Sequence, residues 1–188
     1  MYLCRFSNLK FMFSKIKRYI LRKKISERMH PADRVVMALD KANNVGMVCE
    51  ITDEDSYKAI FRIFSGLQQK GKNVHLIGYI NEKFVPFYCL QQLSADYFCN
   101  KQLNWYGEPN MVQVQDFINE EFDILLDFNY RYHVPVDFIL STSAARFVIG
   151  SCKEYADVYD LLLQTEIGNY TQFINSVSVY TRKLSGNE

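Results

Sequence analysis

Consecutive apolar residues, rather than alternating ones, mark the centre of this chain. In Asp123-Ile124-Leu125-Leu126-Asp127-Phe128 the run predicts a strand buried on both faces of a mostly parallel sheet. After it come Asn129, two tyrosines flanking Arg131, His133 and Pro135, then Val136, Phe138, Ile139 and Leu140 at helical spacing, with Asp137 near the positive end of that helix. Arg146 to Gly150 reads as the neighbouring strand, so Glu121 to Gly150 forms one right-handed βαβ crossover. Upstream, Val45 to Ile51 has the composition of a first core strand. A helix follows with Tyr57, Ile60, Phe61, Phe64 and Leu67 inward, entered through Thr52 or Asp53 as N-cap and closed by Gly71. Asn73 to Ile80 is the second strand, and a brief strand surrounds Tyr97-Phe98-Cys99. Met111 to Glu121, with Val114, Phe117 and Ile118 inward, is the helix leading back to the central strand. Beyond Gly150 the pattern predicts a polar loop (Ser151 to Asp157), a short strand (Tyr159 to Leu163) and a closing helix (Asn169 to Lys183). Arg34 to Leu39 reads as a short edge strand or a turn of helix. The pattern as a whole predicts a three-layer Rossmann-like α/β domain, its mainly parallel sheet holding about five or six strands.

The front of the chain follows a different rule. From Leu9 to Met29 the spacing places Phe13, Ile16, Tyr19 and Ile20, with Leu9 and Met12 beside them, on one side of a helix; Lys15, Arg18, Arg22 and Lys23 fall largely elsewhere. Residues 1–31 thus read as a basic amphipathic helix preceding a single α/β domain over 32–188. Residues 1–28 hold nine Lys or Arg against the lone acid Glu27, so a front of about +8 precedes a body of about −7. Residues 9–29 suit an anionic membrane surface or RNA, while the acidic body disfavours nucleic acid, and no DNA contact is expected. The plainer alternative is a helix that packs its stripe on the domain and leaves its charges in water. Neither a membrane-spanning run nor a secretory signal is apparent.

Composition narrows the class further. At 188 residues and 48% hydrophobic content, one domain can bury roughly 70% of its unfolded surface without staples. Cys4, Cys49, Cys89, Cys99 and Cys152 are odd in number and widely spaced, which reads as reduced, mostly buried thiols and a cytoplasmic setting, peripheral to the inner membrane if the basic helix binds there. His30, His75 and His133 are isolated from any ligand spacing, so no metal is expected, and no cofactor. The turn after the first strand carries Asp53, Glu54 and Asp55 where a nucleotide-binding protein has glycines, and both phosphate-binding fingerprints are missing. A hard divalent cation on these three carboxylates is an alternative to helix capping.

In open parallel sheets ligands sit beyond the carboxyl ends of strands, which nominates Asp127 and Asn129. Asp53 and Asp127 would project at the same edge as paired carboxylates for acid and base work, or cap the segments that follow them. His133 is a base in that crevice or a surface histidine in a turn. The loop Asn104-Trp105-Tyr106-Gly107 offers a stacking face and a hydrogen-bonding partner for a sugar or base, or else covers a core edge. Ser141 and Ser143 lie late in a helix and suit no catalytic triad.

The strings NWYGEP, FINEEFDILLDFN, FILSTSAARFVIG and YDLLL, with the basic leader and GKNVHLIGYINEKFVP, resemble a bacterial domain-of-unknown-function family of about this length. The pattern Asp-hydrophobic-hydrophobic-Asp, helix, Ala-Arg-Phe-Val-Ile-Gly is similar to the amino-terminal half of heptosyltransferase-like glycosyltransferases of the GT-B fold. That second resemblance implies half of a transferase, unable to transfer sugar alone. Three readings follow: a non-catalytic or accessory domain held at a membrane by its basic helix; a binder of, or enzyme on, a sugar or nucleotide that uses Asp53, Asn104, Trp105, Asp127, Asn129 and His133; and RNA contact through the helix. A pocket at the strand-end edge favours the second, a filled edge the first.

Overall fold

The structure, a computed structural model, describes residues 16–17, 19–27 and 34–186. The apolar runs form one sheet of six parallel strands: β1 (Asn44–Glu50), β2 (Asn73–Ile80), β3 (Ala95–Cys99), β4 (Ile124–Asp127), β5 (Val148–Gly150) and β6 (Leu161–Leu162). Their order is β3-β2-β1-β4-β5-β6. The chain winds outward from β1 to β3, returns beside β1 as β4, and winds the other way to β6. The reversal falls between β1 and β4, where Val48 pairs with Asp127.

Side chains alternate between two buried faces. Val45, Met47, Cys49, Ile124, Leu126 and Ile149 pack beneath Ile60 and Phe64 of α2 (Glu54–Gln69) and Phe173 and Val177 of α5 (Tyr170–Leu184). Val48, Leu125 and Val148 face the other layer, with Phe117 of α3 (Val112–Asn119) and Phe138 of α4 (Val134–Thr142). Helices on both faces explain why these strands carry no polar alternation. The expected three-layer arrangement is therefore present.

Local corrections have physical causes. Arg34 to Leu39 is neither strand nor helix; its first part is tied to the sheet by the Val35 amide donating to the Arg146 carbonyl at 3.1 Å. The polar stretch Ser151 to Asp157 contains a 3₁₀ turn, Lys153–Tyr155, because Tyr155 is pulled into the core at 1% exposure. Strand β6 is only Leu161–Leu162: Asp160 turns its carboxylate to the Val148 amide at 2.7 Å, and Tyr159 leaves the strand line.

At the front, residues 16–17 and 19–27 are helical and form α1. The docked face differs from the expected stripe: Leu21 is buried and Ile25 half-buried against the α3/α4 layer, whereas Ile16 and Tyr19 are 42% and 70% exposed. This helix has apolar residues on two arcs, and the domain takes the one carrying Leu21 and Ile25. Leu9, Met12, Phe13, Lys15 and Arg18 lie outside the described residues; Arg22 and Lys23 are exposed. Among the described residues no helix is long and apolar enough to cross a membrane. Cys49, Cys89, Cys99 and Cys152 are free and buried, and Cys4 lies outside the described residues.

Candidate functional site

The carboxyl ends of β1 and β4 meet at the point where the sheet reverses, the position at which doubly wound folds take ligands. Here the protein's own side chains occupy it. Asp127 ends β4 at 0% exposure. Its Oδ1 accepts the Asn129 backbone N–H at 3.1 Å and the Asn129 side-chain amide, and its Oδ2 accepts the Tyr159 hydroxyl at 2.5 Å. Tyr159 reaches it across Gly150, where a Cβ would stand 2.5 Å from the tyrosine oxygen. The absence of a side chain at that strand position is what lets the ring through. Burial pushes the Asp127 carboxyl up to about 7, against the opposing pull of the Tyr159 and Asn129 hydrogen bonds. The same burial drives the Tyr159 phenol far above its ordinary value. Asn129 keeps one orphan, its Oδ1, which is buried without a partner.

His133 closes the other side. Its Nε2 stands 2.9 Å from Glu50 Oε2, a close pairing whose angle falls outside hydrogen-bond geometry, and its ring meets Tyr79 edge-on at 5.3 Å. The backbone N–H of His133 donates to the Tyr155 hydroxyl at 2.6 Å, and that hydroxyl donates to the His133 carbonyl at 2.9 Å. The imidazole is thus held at the N-cap of α4 rather than on an open turn. His75 is also less isolated than its sequence neighbours suggest, because Glu120 lies at 2.8 Å and Asp96 at 3.4 Å from its two ring nitrogens.

The six nominated residues occupy three places. Asp127, Asn129 and His133 share the buried cluster. Asp53 caps α2: its Oδ1 accepts the Ser56 amide at 2.7 Å, the Ser56 hydroxyl answers to the Asp53 backbone, and the Ser56 amide holds the Asp53 carboxyl below its usual range. A cap of this kind is worth about 1 kcal/mol. Asn104 and Trp105 belong to a separate groove of about 410 Å³, whose walls include Lys17 and Leu21 of α1, Asn100 and Val134. Asn104 accepts the Tyr106 and Glu108 amides at 3.2 and 2.9 Å and donates to the Glu108 carboxylate at 3.0 Å, so it organises its own loop, while Trp105 is 58% exposed. No described group of three or more His, Cys, Asp or Glu is placed to hold a metal ion, the Asp53-Glu54-Asp55 run included.

Glu50, Tyr155 and Tyr159 complete the central cluster without having been singled out by sequence. The signal available was Gly150 ending an apolar strand, followed by tyrosines at 155 and 159. A further groove of about 400 Å³ opens beyond β5 and β6, walled by Tyr130, Ser151, Lys153, Glu154, Gln164, Thr165 and Ile167. The Ser151 hydroxyl is buried there without a partner, while the buried hydroxyls of Tyr130 and Thr165 face each other.

Compared with known proteins, residues 14–184 match a family model described as a family of unknown function, DUF6913. No curated protein and no solved structure matches.

Proposed function

We propose, for a chain that belongs to the DUF6913 family of unknown function, a non-catalytic accessory α/β domain of the cytoplasm that attaches to the anionic inner surface of a membrane through α1. The observation that carries the first half is the filled edge between β1 and β4. Asp127, Tyr155 and the His133–Glu50 pair take the space in which a doubly wound enzyme seats its ligand. The neighbouring phosphate position is also taken, because the amide end of α2 is spent on Asp53 and carries Glu54 and Asp55 in its first turn.

The second half rests on α1. Leu21 and Ile25 suffice to dock it, so Ile16, Tyr19, Lys17 and Lys23 are left facing outward, while Arg22, also exposed, borders the groove of Asp137, Glu154 and Asp157. An apolar residue and an amphipathic ring among lysines and arginines suit a headgroup boundary, where each cation near an anionic surface contributes about 1 kcal/mol. In a flotation assay, the full chain is expected to bind vesicles containing phosphatidylglycerol, to ignore pure phosphatidylcholine, and to release as salt rises. Ile16→Asp with Tyr19→Asp, both on the open face, should abolish binding while leaving the melting temperature unchanged. Continued vesicle binding by the doubly substituted protein, or no binding by the unsubstituted chain, would remove attachment through α1. Salt-steep binding of an RNA oligomer in place of vesicles would transfer α1 to the RNA reading.

A second reading, a sugar-sized ligand as in half of a GT-B transferase, is supported by the buried Ser151 hydroxyl, which has no partner at the groove beyond β5 and β6. Each buried hydroxyl without a partner is a standing cost of about 1–3 kcal/mol that a polyhydroxylated guest would relieve. Its test is a thermal-shift series with neutral monosaccharides and disaccharides. A saturable rise lost in Ser151→Ala supports it, and a flat series across both classes counts against it.

A further inference from the structure

We infer that the membrane-facing surface extends beyond α1 onto the rim of β2 and β3, with Trp105 and Phe84 as interfacial anchors that fix how the domain sits on an anionic bilayer. The inference rests on the α1 reading above and adds an orientation to it.

Two exposed aromatics lie on this side of the fold among cations. Phe84 is 62% exposed, and the ammonium groups of Lys83 and Lys101 stand 5.5 and 5.6 Å from its ring centroid. The turn that carries it is fastened to the end of β3: the Asn100 amide donates to the Glu82 carbonyl at 2.9 Å, and the Cys99 thiol to the Lys83 carbonyl at 3.2 Å. Asn100 is in turn a wall of the groove that Trp105 shares with Lys17 and Leu21 of α1. From Phe84 to α1 the surface is therefore continuous, and it carries Lys83, Lys101 and Lys17 with Glu82 as the exposed acid at its margin. Tryptophan at a headgroup boundary places its ring among the upper acyl carbons and its N–H in water, and lysines beside it meet lipid phosphates.

The opposite flank of α1 has the reverse character. Its groove, about 540 Å³, is walled by Asp137, Glu154 and Asp157, with Arg22 the cation among them. Anionic lipid is repelled from that flank and attracted to the other, so α1 marks the border between a lipid-facing and a water-facing side. The domain is expected to lie with Trp105 and Phe84 down and the Asp137–Asp157 groove up.

The chain contains a single tryptophan, which makes the readout direct. The full chain is mixed with phosphatidylcholine vesicles with and without phosphatidylglycerol, and Trp105 emission is followed as brominated acyl chains replace ordinary ones. The expected result is a blue shift and strong quenching with anionic vesicles only. Phe84→Ser, at a position whose exposure spares the core, should weaken partitioning by about tenfold. Vesicle binding by flotation with unshifted, unquenched Trp105 overturns this inference and leaves α1 attachment standing. Absence of vesicle binding overturns both.

Discussion

Replacing Asp127 by asparagine should stabilise the protein at pH 8 relative to pH 4 by about 4 kcal/mol more than the same pH change does for the unsubstituted chain. Burial lifts this carboxyl from 3.8 to about 7, so between those values the folded protein holds a proton that the unfolded chain has released. Stability therefore falls as pH rises across that window and levels off above it; below 3.8 both states are protonated and the cost vanishes. A rise of this size corresponds to roughly 4 kcal/mol. Full burial means no solvent screening softens it. Asparagine matches the carboxylate in shape, its oxygen still accepts from Asn129, and its amide donates to a Tyr159 oxygen that turns from donor to acceptor. Urea unfolding at a series of pH values, with both chains in parallel, measures the gap. Curves that stay a constant distance apart from pH 4 to pH 8 would show that Asp127 keeps an ordinary acidity in the folded state.

Gly150→Ala should cost about 2–5 kcal/mol, against the usual expectation for such a change. Gly150 has ordinary strand φ, because positive values are confined to Gly71, Gly107, Gly168 and Gly186. On backbone grounds alone alanine would stabilise by about 0.4–1 kcal/mol through the unfolded chain. The added methyl instead meets the Tyr159 ring. That ring has little freedom to retreat, since it packs edge-on to Tyr155 at 6.1 Å and its hydroxyl is committed to Asp127. Overpacking costs about 1–3 kcal/mol, and a lost bond that leaves the Asp127 Oδ2 bare adds about 1–3 more. Tyr159→Phe forfeits the same bond in advance and removes the oxygen that would stand 2.5 Å from the new methyl, leaving the ring carbons to yield, so the double variant should be less damaged than the two single costs added together. Denaturant midpoints of the four chains decide it, and a Gly150→Ala protein within 0.5 kcal/mol of its parent would mean that the ring moves aside freely.

The sheet was legible because burial on both faces leaves runs such as Val45 to Cys49 and Ile124 to Leu126 with no polar interruption. For β2 even the bounds, Asn73 and Ile80, were readable, since Gly71 precedes it and Asn81-Glu82-Lys83 follows. Position along a strand also placed Asp127 and Asn129 at the carboxyl edge. What filled that edge was not legible. Tyr159 looked like the first residue of a strand, and only the gap at Gly150 sends its ring back to Asp127. Glu50 fell inside the run Val45 to Ile51 with nothing local to mark it, and its partner His133 lies far along the chain, brought in by α4. Pairs of this kind depend on the completed fold and leave no local spacing to read. The face chosen by α1 was hidden for a related reason: Ile16 and Tyr19 make as good a stripe as Leu21 and Ile25, and tertiary packing selects between them.

The order of the sheet carries a consequence for the chain as it emerges from the ribosome. Strands β1 to β3 and α2 are complete by residue 99, yet β1, with Val45, Met47, Val48 and Cys49 all at 0% exposure in the finished fold, finds its second neighbour only when residues 124–127 arrive. During that interval of synthesis a strand bound for the centre of the sheet is an open edge, able to zip onto another nascent copy. Ile60, Phe64 and Leu67 of α2 cover one face of the half-built sheet but not that rim. Translation speed between residues 99 and 127 therefore sets how long the chain stays vulnerable to misassembly, and a holdase acting on this protein has its natural target there.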